Sequence, residues 1–410
     1  MTLNQSNQSF KEPNKNFLKW KFLDAPRDVL EPREDFKIFT PFNKGNFQVF
    51  GASVRGLLHK HEGTHCDDWF EIGTSGEWTI ITVADGAGSK KYSRIGARIA
   101  CETATTSLKN SLESIQLTVC KTEEEWNTSF IRNNDGKEFP DKNINEAYKA
   151  LLKAFVSAKN KLESKFKELH TQNNNTNKEH ASSVEDLSCT LNIAIHYSSE
   201  WGSVVIACQI GDGLIGIVKP DGQSQILSKA DSGGYAGETK FLTSDRMCDQ
   251  DVLFARTEVF AGSINALLVM TDGVSNDFFP EKGSPTRLWA ELLVNGIPDF
   301  NPNQPSTTRS SINLKTYSEK REVVEKEPRT GVLIRLASDY IRESGIEESD
   351  LVSCPLNAWL AHGGDKIKGD PNPQNHNESM RLRLWLDSFY KKGGSKDDRT
   401  LVVLHCQGKQ

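Results

Sequence analysis

The sequence predicts an α+β protein in which sheets pack together and helices lie outside. Three observations carry this. Trp78 to Ala84 is a near-continuous apolar run, as expected of a strand buried on both faces. Two segments place apolar residues at helical spacing, and from Cys189 to Thr271 strand-like runs follow one another with Gly-Asp-Gly and Pro-Asp-Gly turns between several of them. Strand, paired helices, many strands, helices and a last strand make a layered α+β order.

Residues 1–45 are polar and proline-punctuated, which predicts a flexible or surface-wrapped arm with order beginning near Phe47. FQVFGASVRG and WTIITVADG then have the β-branched and aromatic content of strands. Ile95, Ile99, Ala100, Ala104, Leu108 and Leu112 predict one amphipathic helix; Ala147, Leu151, Phe155, Ala158, Leu162 and Phe166 predict another. Polar insertions are expected near 121–143 and 170–186, the second asparagine-rich. Strands are predicted at Cys189 to Tyr197, Trp201 to Ile210, Leu214 to Val218, Val252 to Ala255 and Ala266 to Thr271. Residues 280–380 turn polar again, with short helical pieces at Thr286 to Leu293 and Gly331 to Ser344. A helix at Met380 to Tyr390 and a strand at Thr400 to Cys406 close the chain, giving one domain over 46–410.

The bulk numbers remove several function classes. With 55 acidic against 50 basic residues there is no overall positive field to hold a polyanion, so nucleic acid is excluded as a partner. No stretch approaches the roughly 20 apolar residues of a membrane span, and the N-terminus has no apolar signal region; a cytoplasmic address follows. Eight widely spaced cysteines without a Cys-x-x-Cys pair read as reduced thiols. No cysteine has an arginine at the spacing of tyrosine phosphatase chemistry.

Four acidic sites lie at ends or starts of apolar strands: Asp67-Asp68 in THCDDWFEI, Asp85-Gly86 in ITVADGAGS, Asp272-Gly273 in LLVMTDGVSND, and Asp397-Asp398 in GSKDDRTLVVL. A single Asp-Gly is more often a turn. Carboxylates placed by rigid strand ends, and converging at one edge, make a hard-oxygen site for magnesium or manganese. Two such ions roughly 3.5 to 4 Å apart acidify a bridging water and polarise phosphoryl oxygens for in-line attack.

FGASVRG with HCDDWF, VADGAGS, LSCTLNIAI, QIGDGLIGIV, YAGETKFLT, VMTDGVSNDF and DDRTLVVL, taken in this order, resemble the successive motifs of the type 2C metal-dependent serine/threonine protein phosphatases, the bacterial branch being nearer. The resemblance spans roughly residues 48–280 and 380–406. It implies a four-layer αββα sandwich of two mainly antiparallel sheets flanked by helices. It also implies hydrolysis of phosphoserine and phosphothreonine by a hydroxide bridging two Mn2+ or Mg2+ ions, with a third, weaker ion near Thr190 held by Glu185 or Asp186. By the same resemblance Asp85 bridges both metals, Gly86 offers its carbonyl, Asp272 and Asp397 complete a shell, Asp67 is a direct ligand and Asp68 holds metal-bound water. Asp85 and Asp68 are thus the expected catalytic pair, and Asp212 is expected to be structural. The implied partner is a phosphorylated protein, with a cognate kinase system beside it.

Two departures stand out. Ala87 occupies the place where some relatives have a histidine that protonates the leaving group, leaving water, His59, His61 or His65 for that task. A phosphate-binding arginine before the acidic pair has no clean counterpart, so Arg55, His59 and Lys60 are the local candidates, with His59 and Lys60 expected to bind phosphate. Glu238 and Thr239, beside Gly233, Gly234 and Gly237, are expected in a flap over the cleft. HKHEGTHC invites a zinc reading, but solvated histidines fit its spacing better. Competing functions are a catalytically silent binding module of the same fold and a hydrolase of small phosphate esters.

Overall fold

The computed structural model describes residues 22–118, 120, 122–131, 138–173, 181–228, 239–278, 284–294, 297–298, 377–388 and 395–407. The helix expected at Gly331 to Ser344, most of the 280–380 insertion and Glu238 lie outside the described residues.

Eleven described strands form two wholly antiparallel sheets. The first contains β1 (Phe36–Lys44), β2 (Phe47–Val54), β7 (Leu214–Val218), β8 (Ser224–Ile226), β10 (Ala266–Met270) and β11 (Arg399–Cys406), in the spatial order β1-β2-β11-β10-β7-β8. The second runs β3 (Trp69–Ser75), β4 (Trp78–Ala84), β5 (Leu191–Ser198), β6 (Ser203–Ile210) and β9 (Thr257–Gly262). Their inner faces share a core of Val49, Phe70, Ile81, Val83, Ala207, Ile217, Val269 and Val402.

Strand alternation sends the other faces to helices. In β11, Val402 and Leu404 point to the inner core while Leu401 and Val403 join Leu382 and Trp385 of α8 (Glu378–Ser388) and Leu288 and Leu292 of α7 (Ser284–Val294). In β4, Trp78 and Ile80 pack instead with Ala104 and Leu108 of α2 (Ser93–Leu112) and Leu151 and Phe155 of α4 (Lys142–Asn173). The result is the four-layer αββα sandwich that the motifs implied.

Three elements differ from the sequence reading. Phe36–Lys44, inside the polar arm, is a strand: it pairs with β2 through a hairpin whose Gly45 has φ +57, beyond a register shift between Phe39 and Phe42. Val252 to Ala255, expected as a strand, lies in α5 (Gln250–Arg256), because so short an apolar run satisfies either period. Beside the 121–143 insertion's polar residues sits α3 (Glu123–Ser129), whose start is capped by Thr122 and whose Trp126 is buried.

Candidate metal centre

Register explains why distant aspartates meet. Trp69 pairs with Ala84, so Asp67-Asp68, just before β3, and Asp85, just after β4, emerge at the same end of the second sheet. Met270 pairs with both Leu401 and Leu214. Asp272 at the head of α6 (Asp272–Ser275), Asp397 ahead of β11 and Asp212 ahead of β7 therefore emerge together from the first sheet. The segment Gly211-Asp212-Gly213 joins β6 of one sheet to β7 of the other, which brings the two sets into one cleft.

Among the described residues, Asp85, Asp212 and Asp272 bring carboxylate oxygens within 4.8 Å of one another, all three half-buried. Asp397 lies close enough to act electrostatically on both Asp85 and Asp272. Burial and then repulsion from Asp68, Asp272, Asp397 and Asp212 push the Asp85 carboxyl well above its usual range. Burial and the charges of Asp212 and Asp397 lift Asp272 to about 7. Asp397 is raised by burial and by Asp398. Carboxylates this close resist ionising together unless a cation joins them, and hard oxygen donors suit Mg2+ or Mn2+. The donor set fits the metal that the motifs implied.

The backbone holds Asp85 firmly. Its N–H donates to Thr190 Oγ1 and its carbonyl accepts from Thr190 N–H, both at 2.8 Å. Gly86 faces Cys189 in an isolated antiparallel bridge whose bonds use the Asp85 carbonyl and the Ala87 N–H, so the Gly86 carbonyl stays out of that ladder. A Cβ on Gly86 would sit 2.8 Å from the Ser93 carbonyl carbon and 2.9 Å from the Asp67 oxygen. Close backbone packing, more than room for substrate, requires glycine there.

Asp68 is buried behind the cluster, its Oδ2 accepting from Thr271 Oγ1 at 2.8 Å and Thr400 Oγ1 at 2.7 Å. Burial and Asp398 raise its carboxyl well above the usual range. Asp67 is raised to about 7 by burial and Asp398, against the pull of His59, Arg94 and Arg33. Asp212, read from sequence as structural, is one of the three closest acids; its Oδ2 also accepts from Thr239 Oγ1 at 2.5 Å. Gly-Asp-Gly reads as a turn, and only its position between two strands of different sheets signals more. Among the described residues, Glu185 and Asp186 join no group of three or more such side chains close enough to hold an ion, and the Asp186 carboxylate accepts from Ser182 and Ser183 in a capping box.

The phosphate-binding candidates have other partners. Lys60 is paired with Asp387 of α8. Arg55 is buried and donates to Asp35, at 2.9 Å, and to the carbonyls of Leu23 and His59. His59 is buried on α1 (Leu57–Glu62), with Nδ1 2.8 Å from Asp398 Oδ2. Burial works against its charged form, but the hydrogen bond and field of Asp398, helped by Asp67 and Asp397, raise it to about 9. His65 accepts from Arg33 N–H at its Nδ1 and donates from Nε2 to the Pro26 carbonyl, and both His59 and His65 are buried where solvated histidines were expected. His59, Asp397 and Asp398 form a second group whose ligand atoms lie within 4.8 Å of one another.

Sequence reasoning missed Arg33. From the arm it donates to the carbonyls of Cys66 and Asp68, at 3.3 and 3.0 Å, and stacks over Trp69 at 4.5 Å, fastening the acidic pair from outside. Nothing local marks such a residue, because its partners are backbone carbonyls more than thirty residues away.

The cleft is thus a cluster of acids that could hold a metal ion, built at the joined ends of two sheets. The protein phosphatase 2C family model matches residues 55–299, more than half of the sequence, and the chain belongs to that family. Among solved structures, a bacterial serine phosphatase aligns over 89% of this chain and 98% of its own, at 11% identity and a TM-score of 0.41. The serine/threonine phosphatase PstP/Ppp of Mycobacterium tuberculosis aligns over 88% and 99%, at 12% identity and a TM-score of 0.36. Stp1 of Staphylococcus aureus does so over 94% and 100%, at 12% identity and 0.36. A search of curated proteins gives no match. None of the seven described cysteines is in a disulfide, and no described helix is long and apolar enough to cross a membrane.

Proposed function

We propose that this chain hydrolyses phosphoserine and phosphothreonine esters on proteins, using Mn2+ or Mg2+ held at the acid cluster. The observation that carries the reading is the convergence of Asp85, Asp212 and Asp272 within 4.8 Å, with Asp397 beside them. Family membership supports it.

Asp67, Asp85, Asp272, Asp397 and the Gly86 carbonyl are the proposed ligands, and the closeness of Asp212 to Asp85 and Asp272 supports adding it to them. When bound, two divalent cations would acidify water to a bridging hydroxide and neutralise charge on the phosphoryl oxygens. Asp68, its Oδ2 locked by two threonine hydroxyls, orients water at the rear of the cluster, and Asp67 serves the same rim. Ala87 offers no proton, His65 is bonded through both ring nitrogens and His59 commits its Nδ1 proton to Asp398, so water is the proposed proton donor to the leaving serine or threonine oxygen. Thr239, bonded to Asp212, belongs to the proposed flap.

The test is turnover of a phosphoserine peptide with Mn2+, compared with p-nitrophenyl phosphate and a nucleotide. The reading expects Mn2+-dependent release from the peptide. No release by the parent protein under any Mn2+ or Mg2+ concentration would favour a silent binding module; preference for the nucleotide would favour a small-ester hydrolase.

A further inference from the structure

Asp398 sits one residue beyond a proposed ligand, yet it belongs to a different chemistry. It is 1% exposed, and three donors fill its two oxygens: Gly56 N–H on Oδ1 at 2.6 Å, and Asp67 N–H at 2.5 Å and His59 Nδ1 at 2.8 Å on Oδ2. These donors come from the turn before α1, from α1 itself and from the acidic pair before β3, more than 330 residues away along the chain. Since a carboxylate only accepts, the Nδ1 of His59 carries the proton in this bond.

The main chain is held as tightly as the side chain. A Cβ on Gly56 would lie 2.3 Å from the Asp397 carbonyl carbon and 2.5 Å from Asp398 N. A Cβ on Gly273, next to Asp272, would lie 1.8 Å from the backbone carbonyl oxygen of Asp398. The Asp397–Asp398 peptide is therefore pinched between two glycines, and Asp398 N–H donates to Asp397 Oδ1 at 2.8 Å.

We propose that Asp398 and His59 form a positioning pair that, with Gly56 and Gly273, seats Asp397 against Asp272 and fixes the backbone of Asp67 before any cation arrives. Although His59, Asp397 and Asp398 bring ligand atoms within 4.8 Å of one another, the bonds that fill the Asp398 oxygens and use the His59 Nδ1 proton give the pair a supporting place behind the ligands. It acts by holding ligands from both sheets in one register, as outer hydrogen-bond partners do for metal sites generally. The proposal rests on the metal reading of the cluster given above.

Calorimetric Mn2+ titration of the metal-stripped full chain tests it, beside thermal melts of each variant. Asp398→Asn and His59→Ala should weaken Mn2+ binding about 10- to 100-fold. His59→Asn, whose side-chain amide can donate from near the Nδ1 position, should recover most of the affinity. That rescue is a readout a merely structural role would not produce, and the His59 pair carries the test if Asp398→Asn fails to fold. Wild-type affinity in His59→Ala, or equal affinities in His59→Ala and His59→Asn, would overturn the proposal while leaving the metal reading intact. Absence of Mn2+ binding by the parent protein would instead remove the metal reading, and this proposal with it.

Discussion

Two sets of acids, one half-buried at the cleft and one fully buried behind it, lie within a few residues of each other and differ in their partners. At the cleft, Asp85 and Asp272 face other carboxylates and are driven upward in pKa, Asp272 to about 7. Behind it, burial alone would raise Asp398, but the His59 hydrogen bond and charge, with the Gly56 and Asp67 amides, hold it below its usual value. Asp277 belongs with Asp398: it pairs with Arg399 at 3.2 Å, both nearly inaccessible, and its Oδ1 accepts from Ser395 N–H. The scaffold acids have their countercharge in the protein. At Asp85 and Asp272 the main influences are burial and other acids, and that imbalance fits them to hold something positive.

The largest expected effect falls on the cleft. Asp85→Asn should cut Mn2+-dependent phosphopeptide turnover by orders of magnitude, measured at matched folded concentration; parent-like turnover would erase the distinction between the two sets. Asp277→Ala should act on the scaffold, because it strands the Arg399 guanidinium in the core. Breaking a buried pair this way costs about 3 to 5 kcal/mol, readable by urea unfolding. A loss under about 1 kcal/mol would place Asp277 among ordinary surface acids.

Acidity sharpens the contrast further. Asp67 and Asp272 have usual values of 3.8 and are each raised to about 7, so the folded metal-free protein binds more protons than the unfolded chain between these limits. Their contribution therefore favours folding at low pH and is lost as pH rises toward 7. Mn2+ replaces those protons, so its stabilisation, followed as a melting-temperature shift, should be larger at about pH 7.5, above the window, than at about pH 5.5, inside it. A shift independent of pH would count against these carboxylates as ligands. The smallest effect is expected at Lys60→Ala: its partly exposed pair with Asp387 is worth about 0 to 1 kcal/mol, and turnover should change little. A large rise in KM for phosphopeptide would return Lys60 to phosphate binding.

Much of the cleft was legible before any coordinates because strand ends are legible. The apolar run Trp78–Ala84 stops at Asp85, and Ala266–Met270 stops just short of Asp272, so periodicity located both acids at sheet edges. The glycines flanking Asp212 imitate a turn; the segment joining β6 of one sheet to β7 of the other is what puts its carboxylate beside those of Asp85 and Asp272. The polar composition and Pro41 concealed β1, whose irregular pairing passes over that proline. Long-range partnerships were the least visible part. His59 and Asp398 are 339 positions apart, and a histidine in the charged stretch HKHE carries no sign of its acceptor. The same holds for Lys60, whose nearness to the acidic pair suggested phosphate although the fold gives it Asp387.

Anomalous scattering from Mn2+-soaked crystals tests the central claim most directly, which is that carboxylates from both sheets hold cations jointly. Peaks bounded by Asp85, Asp272 and Asp397 are the expected result. Soaked crystals with a clean anomalous map at that cleft, or with manganese only at acids elsewhere on the surface, would contradict it.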